Sequence, residues 1–582
     1  MSISNRSIHT RDMPIQIQYT EGEQCFHMKV PFEQKDKVRR VGGVWNQSSK
    51  SWKFALDPSI WDEVRVKFKG ELLVPRKFLN AMDEVRREQE SFARLKAQAE
   101  EDTPVEFDVK GVSLNGKNPL FNYQKWGIKC ALKVGSGFLI GDLPGLGKSI
   151  QAIGIALERK NRGEISNCLI VCLASLKYNW LDEIKKFTRE RALVIDGSLE
   201  ERRQKWMADG YFFKVVNYEM VVKDLFIPQK NRLSIDEMAF RKYLAGSFDM
   251  IVVDEIHAIK HHSSQRSQAV KQLNARYKLG LSGTPVDGRL EELHSIFEFL
   301  KPGLFESRGR FMERHAIFDQ FGAVKAYVGV QDVKDRIGPY YLRRLKEKVL
   351  KDLPPKLFKD VYVELNRPEM KLYRELIRGA HEITEEQQAI TRVLKARLFL
   401  DFPELLELHN PSAKYKALEE LLEELVDGNG QKAIVFTQYK QVLDLIVKNL
   451  SEKYSNILTI HGGVSSRDRV EIVKEFNEGS GASILVGTDA MSTGLNIGGA
   501  SAVIHYEDNY SPAIMQQRND RAHRATTRHN VTIYRFICKD TIEEHVRHAL
   551  GGKMELNNRL LDENCSEFGV GTLTNLDLLK YL

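Results

Sequence analysis

GDLPGLGKSI, residues 141–150, is the stretch that decides how the rest of the chain is interpreted. The apolar run at residues 134–140 predicts a buried strand before it, and apolar residues at helical spacing predict a helix after it. A glycine-rich turn between a strand and a helix N-terminus binds phosphate, because backbone N–H groups and the helix dipole both favour anions. We expect Gly145, Gly147 and Lys148 to direct their N–H groups at phosphate oxygens.

Two side chains of this turn extend the prediction to a nucleotide and its metal ion. Lys148 would reach the β- and γ-phosphates, and the Ser149 hydroxyl would bind Mg²⁺. The strict pattern has a glycine where this chain has Asp142, so a generic glycine-rich turn stays open as an alternative at this point.

The composition is that of a globular chain with a net positive charge. Its 582 residues suffice for three or four domains, and 42% are hydrophobic and 29% charged. No apolar run reaches membrane-spanning length and the N-terminus lacks an apolar signal core, so we expect no membrane partner and a location in cytosol, nucleoid or nucleus rather than secretion. A net charge of +8 favours a polyanionic partner.

The six cysteines do not predict a metal site. They are scattered through apolar segments without CxxC spacing, which is typical of buried thiols in a reducing compartment and argues against structural zinc.

MIVVDEIH, residues 250–257, predicts a second element of a nucleotide site. A buried strand ends in two carboxylates, of which Asp254 would hold Mg²⁺ through water and Glu255 would orient and polarise the attacking water. Upstream of the turn, the amide of Gln124, next to Tyr123, could both donate to and accept from adenine. Residues 277–285 predict a further strand that ends in small hydroxyl residues.

Strands alternate with helices through two long stretches, which predicts parallel sheets with helical crossovers. In the first stretch we expect strands at residues 168–172 and 214–218, with a helix around Trp180. In the second stretch we expect strands at residues 433–436, 457–460, 483–487, 502–506 and 531–536.

Polar residues follow the strands of the second stretch. Residues 437–439, 461–463 and 487–489 would contact phosphate or backbone. Arg521 and Arg524 are three residues apart, which predicts one helix face from which both could cross a cleft to the γ-phosphate. A surface ion pair is the alternative for arginines at this spacing.

Residues 14–70 predict a small separate unit. Alternating apolar residues predict two hairpins, Pro31 a short basic helix, and Asp57-Pro58 the start of a second helix. Trp45 and Trp52 flank the turn of the second hairpin. We expect at least two of the three tryptophans of this unit in its core; an exposed one, among lysines, would suit nucleic-acid stacking.

The motifs DLPGLGKS, VVDEIH, LSGTPVDGRLEELHSIFEFLKPGLF and YYLRRLKEKVLKDLPPK together resemble the Swi/Snf branch of superfamily-two helicase-like ATPases. In that branch Asp commonly replaces the first glycine of the phosphate loop, so Asp142 now supports the resemblance. It implies an α/β chain with two RecA-like parallel-sheet lobes and helical insertions, ATP and Mg²⁺ between the lobes, and DNA across both.

The resemblance extends to smaller features. Residues 492–497 resemble the motif that couples nucleotide to DNA in the family, whereas residues 507–512 depart from the usual tryptophan and asparagine of their loop. Residues 30–54 resemble a HARP-type module, which implies recognition of forked or junction DNA and completes a small α+β N-terminal domain. We expect Arg343 and Arg344 on a solvated helix face.

These inferences divide the chain and assign its residues. The expected domains are 1–74 HARP-like module, 75–103 helical linker, 104–300 first lobe, 301–410 helical protrusions and brace, 411–550 second lobe and 551–582 tail. The candidate nucleotide contacts are Tyr123, Gln124, Asp142, Gly145, Leu146, Gly147, Lys148, Ser149, Gly494 and Gln517, and the candidate catalytic residues are Lys148, Asp254, Glu255, Arg521 and Arg524. The candidate DNA contacts are Lys177, Thr437, Gln438, His461, Gly462, Thr488, Ser492, Trp45 and Trp52.

The function expected from the resemblance is ATP-dependent translocation on duplex or branched DNA by a monomer, in fork remodelling or strand annealing. A strand-separating helicase is one alternative. A nucleic-acid-binding scaffold that uses ATP as a switch is another.

Overall fold

The computed structural model contains a small N-terminal domain followed by two larger lobes. It describes residues 15–20, 25–41, 43–46, 49–114, 117, 119–227, 233–320, 322–350, 353–378, 386–408, 411–479, 483–492, 495–523, 530–548, 550–551 and 567–569. Within these ranges, no helix has the length and apolar composition that crossing a membrane requires. Cys130, Cys168, Cys172 and Cys538 are buried free thiols, as expected, whereas Cys25 is half-buried and Cys565 lies outside the described residues.

The N-terminal domain is a mixed sheet of five strands in the order β3-β4-β2-β1-β5. Both predicted hairpins are present, with Ile17 opposite Met28 and Trp45 opposite Trp52. Asp57 caps the second helix by accepting a hydrogen bond from the Ser59 N–H at 2.9 Å. The elements are β1 (Ile15–Gln18), β2 (Cys25–Met28), α1 (Lys35–Arg40), β3 (Val44–Asn46), β4 (Ser51–Ala55), α2 (Pro58–Lys67) and β5 (Leu72–Leu73).

The predicted linker is one continuous helix, α3 (Arg76–Glu100), and it belongs to two cores. Phe78 and Met82 pack into the N-terminal domain, and Phe92 and Ala99 pack into the first lobe. The N-terminal domain is therefore joined to the first lobe by a helix that packs against both.

The first lobe is a sheet of seven parallel strands in the order β14-β6-β11-β10-β7-β9-β8. Its elements up to residue 300 are α4 (Asn122–Val134), β6 (Gly137–Ile140), α5 (Lys148–Asn161), β7 (Cys168–Cys172), α6 (Lys177–Phe187), β8 (Ala192–Val194), α7 (Leu199–Met207), β9 (Phe213–Asn217), α8 (Tyr218–Leu225), α9 (Ile235–Ala245), β10 (Met250–Asp254), α10 (Gln265–Gln272), β11 (Tyr277–Leu281) and α11 (Leu290–Leu300).

Its central strands are buried on both faces because helices cover the sheet on each side. Every residue of β7 and of β10 is buried, which explains their unbroken apolar sequences. The strand predicted from residue 134 begins only at Gly137. Val134 ends α4 instead, and Gly135, with φ of +80°, terminates that helix.

The segment 301–410 differs from the predicted set of helical protrusions, since it contributes strands and core residues to both lobes. Residues 308–342 pack into the core of the first lobe, whereas residues 363–402 pack into that of the second. The physical reason is that β14 and β15 each extend a parallel sheet at its edge. The elements are α12 (Arg308–His315), β12 (Ala316–Phe318), β13 (Val324–Val328), α13 (Val330–Ile337), β14 (Tyr341–Leu342), α14 (Lys346–Val349), β15 (Lys356–Val363), α15 (Arg367–Ile377) and α16 (Glu386–Asp401).

The second lobe is a parallel sheet of six strands in the order β15-β20-β19-β16-β18-β17, and all five predicted strands are present within two residues. Its further elements are α17 (Ala413–Leu422), β16 (Ala433–Phe436), α18 (Lys440–Leu450), β17 (Ile457–Ile460), α19 (Ser466–Glu478), β18 (Ile484–Gly487), β19 (Ala502–His505), α20 (Pro512–Asn519) and β20 (Val531–Cys538), with residues 542–548 helical.

The described part of the tail returns to the first lobe. There β21 (Glu567–Gly569) pairs antiparallel with β13.

Candidate nucleotide site and interlobe contacts

The phosphate-binding turn lies at the carboxyl end of β6, where parallel sheets place ligands. Gly145 and Gly147 have φ of +90° and +71°, a conformation that favours glycine. A Cβ atom at Gly147 would lie 2.4 Å from Nε2 of Gln124, so this glycine also permits a close approach. Lys148 is the first residue of α5, and its Nζ donates to the Asp142 carbonyl at 3.0 Å.

Asp142 is fully buried and neutralised by Arg344, 202 residues further along the chain. The guanidinium donates to Oδ1 at 3.0 Å and to Oδ2, and also to Oε1 of Gln151 at 2.8 Å. Gln151 in turn donates to Asp142 Oδ2 at 3.0 Å. The Asp that replaces a glycine is thus part of a buried network rather than an open turn.

Arg344 corrects the expectation of a solvated helix face. It follows β14, which pairs in parallel beside β6, so its side chain enters the protein next to the phosphate-binding turn. Burial alone would lower its pKa, but the charge of Asp142 raises it, and Arg344 stays charged. The neighbouring Arg343 donates to the Gly283 carbonyl at 2.8 Å and to the Gly141 carbonyl at 3.4 Å, and so connects the start of the turn to the strand end at residue 283.

Gln124 and Tyr123 both contact this turn. The Gln124 side chain accepts from the Phe121 N–H at 3.0 Å and donates to the Leu146 carbonyl at 3.2 Å, so both ends of its amide have protein partners. Tyr123 is buried, which raises the pKa of its hydroxyl, and its carbonyl accepts a hydrogen bond from Arg344.

Asp254 and Glu255 end β10 in the same site. Asp254 accepts from the Trp180 indole at 2.8 Å and from the Glu255 N–H at 3.0 Å; burial and the charge of Glu255 raise its pKa. Glu255 has φ of +48°, which costs a non-glycine residue about 1–3 kcal/mol and is typical of functional positions. Lys148 acts electrostatically on both carboxylates, which places the turn and the strand end in one site.

His257 is a neighbour of Glu255 that the motif comparison did not assign. Its Nδ1 lies 3.3 Å from Glu255 Oε2 and 3.0 Å from Ser282 Oγ. Burial would raise the pKa of Glu255, but the nearby His257 ring and the positive charges of Lys148 and Arg521 outweigh it and lower that pKa. Glu255 is therefore ionised at neutral pH.

Arg521 belongs to the second lobe, and its charge nevertheless acts on Glu255 of the first. Its guanidinium donates to the carbonyls of Leu495 at 2.8 Å and Gln517 at 3.1 Å. Arg521 does not lie on a helix, as the prediction of a shared helix face requires, because α20 ends at Asn519 and Arg521 lies in the turn that follows. Arg524 and Gly494 lie outside the described residues.

Asp520 is the residue that directly follows α20. Its buried carboxylate accepts from Lys346 at 2.6 Å and from Lys356 at 2.7 Å. Burial would raise its pKa, but the two ammonium groups lower it. His523 Nε2 lies 2.6 Å from the Pro354 carbonyl. Residues 520–523 therefore pack against the segment that leaves the first lobe.

A second contact joins the lobes directly. The Ser511 hydroxyl donates to Oδ2 of Asp287 at 3.3 Å, and Lys260 contacts the same oxygen at 3.2 Å. Ser511 stands in the loop that departs from the family pattern, so this loop still contacts the first lobe.

Most candidate DNA contacts of the second lobe have internal partners. Thr437 is buried and donates to Glu507 at 2.8 Å, and Ser492 is buried and donates to the Asp489 carbonyl at 2.7 Å. Gln438 donates to the Asp508 carbonyl at 2.7 Å, and Thr488 accepts from the Ala490 N–H at 3.4 Å. The side chains of Thr437 and Ser492 are therefore not accessible to DNA in this structure.

The remaining candidates are spread over all three units. Gly462 is exposed and His461 half-buried, with Nδ1 accepting from the Gly463 N–H at 3.0 Å. Lys177 lies 3.8 Å from Asp196. Trp52 is in the N-terminal core, as Trp61 is, whereas Trp45 is 50% exposed, so only Trp45 can stack on a base.

Comparison with known protein families identifies two domains, one after the other along the chain. Residues 122–410 match the SNF2-related domain, and residues 413–526 match the helicase conserved C-terminal domain.

Several curated proteins share this region. An uncharacterized ATP-dependent helicase of Mycoplasma pneumoniae is 32% identical over 474 residues, covering 79% of this chain and 44% of that protein. The putative ATP-dependent helicase/translocase YwqA of Bacillus subtilis is 27% identical, covering 77% and 50%. The DNA repair and recombination protein RAD26 of Saccharomyces cerevisiae is 27% identical, covering 76% and 47%. The chain thus spans half or less of the length of these relatives.

Among solved structures, the Sulfolobus solfataricus SWI2/SNF2 ATPase core in complex with dsDNA is 25% identical, with a TM-score of 0.36; the match covers 79% of this chain and 96% of that one. Two matched domains in the expected order make up most of the chain, which belongs to the Swi/Snf-type helicase-like ATPases.

Proposed function

We propose that this chain is a DNA-stimulated ATPase that moves along duplex DNA. The observation that carries the proposal is the arrangement of the site: Lys148 in the glycine-rich turn and the carboxylates at the end of β10 belong to the first lobe, and the second lobe, which carries Arg521, contacts the first through Ser511 and Asp287 at 3.3 Å. A water-activating carboxylate with one cation from each lobe is an arrangement suited to hydrolysing a nucleotide bound between them.

The residues of the first lobe fit ATP with Mg²⁺. Gly145, Gly147 and Lys148 supply N–H donors at the N-terminus of α5, which favours phosphate. Ser149 and Asp254 are oxygen donors of the kind that Mg²⁺ prefers. When bound, the ion would neutralise charge on the phosphate oxygens.

Hydrolysis depends on Glu255 and Arg521. Because Glu255 is ionised, it can orient and polarise a water molecule toward the γ-phosphate. Closure of the cleft would bring the Arg521 guanidinium from its carbonyl partners to the phosphate, where an arginine is worth about 10³- to 10⁵-fold in rate. Reopening after hydrolysis would shift the second lobe along the DNA.

Duplex DNA would lie across both lobes, held by phosphate contacts that carry little sequence information. The net charge of +8 suits such a partner. The N-terminal domain would direct the motor to forked or junction DNA, for fork remodelling or strand annealing. Trp45 offers an exposed ring there, and Glu63, paired with Arg336 at 2.5 Å and Arg314 at 3.0 Å, fixes the domain against the first lobe.

ATP hydrolysis measured without DNA and with single-stranded, duplex and forked DNA tests the proposal. We expect strong stimulation by duplex and more by forked DNA, with no ATP-dependent displacement of a labelled strand. Robust strand displacement would establish a helicase instead, and turnover that DNA does not stimulate would leave an ATP-switched scaffold.

The role of the N-terminal domain is best tested by a point substitution. Deleting residues 1–102 would remove Phe92 and Ala99 from the core of the first lobe. A loss of activity in that variant could then come from destabilisation of the lobe instead of from loss of DNA recognition. Trp45→Ala should abolish the preference for forked over duplex DNA and leave duplex-stimulated turnover unchanged. Tyr243→Ala, another exposed ring, is the matched control. A fork preference that survives Trp45→Ala would refute this role.

A further inference from the structure

The segment between β14 and β15 contacts both halves of the candidate site within three residues. Arg344 contacts Asp142 and Gln151 in the first lobe, and Lys346 contacts Asp520 in the second. Consecutive Cα atoms are about 3.8 Å apart, so the two side chains cannot separate by stretching the backbone between them.

In the first lobe, Arg344 of this segment binds Asp142, and Asp142 in turn contacts Lys148. The Asp142 carboxylate is bound by Arg344, and the Asp142 carbonyl accepts from Lys148 Nζ. Arg344 and Asp142 are both buried, with 1% and 0% of their side chains exposed. Because a buried charge is costly to leave unpaired, a movement of one requires a movement of the other.

In the second lobe, Lys346 of this segment binds Asp520, the residue before Arg521. Lys346 Nζ donates to Asp520 at 2.6 Å and to the His523 carbonyl at 2.7 Å, and both Lys346 and Asp520 are fully buried. Arg521 stands between these two partners in sequence. Lys346 therefore contacts the chain on each side of Arg521.

We infer that residues 344–346 are a positioning segment that couples the phosphate-binding turn to Arg521. Nucleotide binding that shifts Asp142 would move Arg344, and through Lys346 would move the turn that carries Arg521. The inference rests on the proposed hydrolysis at this site and adds the route by which one lobe reports its state to the other.

The second partner of Asp520 provides a matched control. Lys356 contacts the same oxygen at 2.7 Å, but it lies in β15, whose partner β20 is in the second lobe. Lys346→Met and Lys356→Met each remove one ammonium group and leave Asp520 with the other, so both variants should fold.

The measurement is kcat and KM for ATP at saturating duplex DNA, together with DNA affinity. For Lys346→Met we expect kcat to fall about 3- to 30-fold with an unchanged KM and DNA affinity, as for loss of coupling rather than of binding. For Lys356→Met we expect kcat within about twofold of wild type, on the same argument. Equal loss in both variants, no loss in Lys346→Met, or a raised KM would overturn the inference.

A second readout separates this inference from the proposed function. Dyes on cysteines introduced at the exposed positions Gln204 and Gln441 would report the distance between lobes by energy transfer when a non-hydrolysable ATP analogue is added. We expect a change in wild type and in Lys356→Met, and none in Lys346→Met. Wild type that changes distance without hydrolysing ATP would refute the proposed function alone, whereas an unaltered response in Lys346→Met, or no response in wild type, would refute the coupling.

Discussion

Each lobe contains a buried cluster of charges, and the two clusters have different positions. In the first lobe, Arg344 and Asp142 meet at the phosphate-binding turn. In the second lobe, Lys414 lies 2.8 Å from Asp401 and 2.5 Å from Glu543, all of them buried, and joins α16, α17 and helix 542–548. The same chemistry thus orders the candidate phosphate-binding turn in one lobe and the packing of three helices in the other.

The difference teaches that buried charge alone does not identify a functional site. Burial raises the pKa of Asp401 and of Glu507 beside it, yet neither lies at the candidate nucleotide site. What distinguishes the first cluster is its partner, a loop with glycines at positive φ and a lysine directed at its backbone. The following predictions separate a cluster that serves catalysis from one that serves stability.

The largest effect is expected at the carboxylate that neither cluster contains. Glu255→Gln should lower DNA-stimulated ATP hydrolysis about 10²- to 10⁴-fold, since the amide cannot accept a proton from water. Nucleotide and DNA binding should persist. Glu298→Gln, a half-exposed carboxylate paired with Lys271, is the control, and turnover near the wild-type rate in Glu255→Gln would refute the site.

The cluster of the second lobe should matter for stability. Lys414→Met leaves Asp401 and Glu543 without their shared cation and should destabilise the second lobe by about 3–5 kcal/mol. Denaturant unfolding followed by probes in each lobe measures this. ATP affinity, determined under native conditions, should stay within about twofold of wild type if the cluster is architectural. A large loss of ATP affinity without loss of stability would make the two clusters equivalent.

The cluster of the first lobe should matter for ATP binding. Arg344→Lys keeps the charge but loses the two-point contact with Asp142, and should raise KM for ATP about 5- to 30-fold, with a smaller change in stability than in Lys414→Met. Lys348→Met, an exposed cation on the same helix as Lys346, is the control. An unchanged KM would mean that the turn does not depend on Arg344.

The last prediction concerns the pH dependence of stability. His505 is fully buried, which lowers its pKa to about 3, and its Nε2 lies 2.7 Å from Asn519 Oδ1. Between pH 6.5 and 3 the unfolded chain therefore binds a proton at this residue that the folded chain does not, so stability falls as pH falls, by up to about 1.4 kcal/mol per pH unit.

Several buried carboxylates act in the opposite direction, so the measurement compares the unfolding free energy of wild type with that of a variant without this histidine. Asp401, Glu507 and Asp508 have raised pKa values and favour the folded state as pH falls. His505→Gln should remove only the contribution of the histidine to the pH dependence of stability. The free energy of unfolding of wild type minus that of the variant should therefore decrease as pH falls below 6.5. A difference in unfolding free energy that does not change with pH would contradict a lowered pKa of His505 in the folded state.

The sequence by itself determined the strands and the phosphate-binding turn. Apolar runs such as residues 168–172 and 250–254 are typical of strands buried on both faces of a parallel sheet, and the residues that follow such runs are expected at the strand ends. For this reason Lys148, Asp254 and Glu255 could be assigned from their position along the chain.

Only the tertiary structure decided which distant residues complete the site. Arg344 reaches Asp142 because β14 adds to the sheet beside β6, and the carboxylate of Asp520 is bound by Lys346 from the segment after β14 and by Lys356 from β15. The sequence around Arg344 or Lys346 does not indicate which carboxylate each will contact, since any arginine or lysine near a strand end would look the same in sequence. They follow from the order of strands in the sheet, which brings together residues that are 202 positions apart.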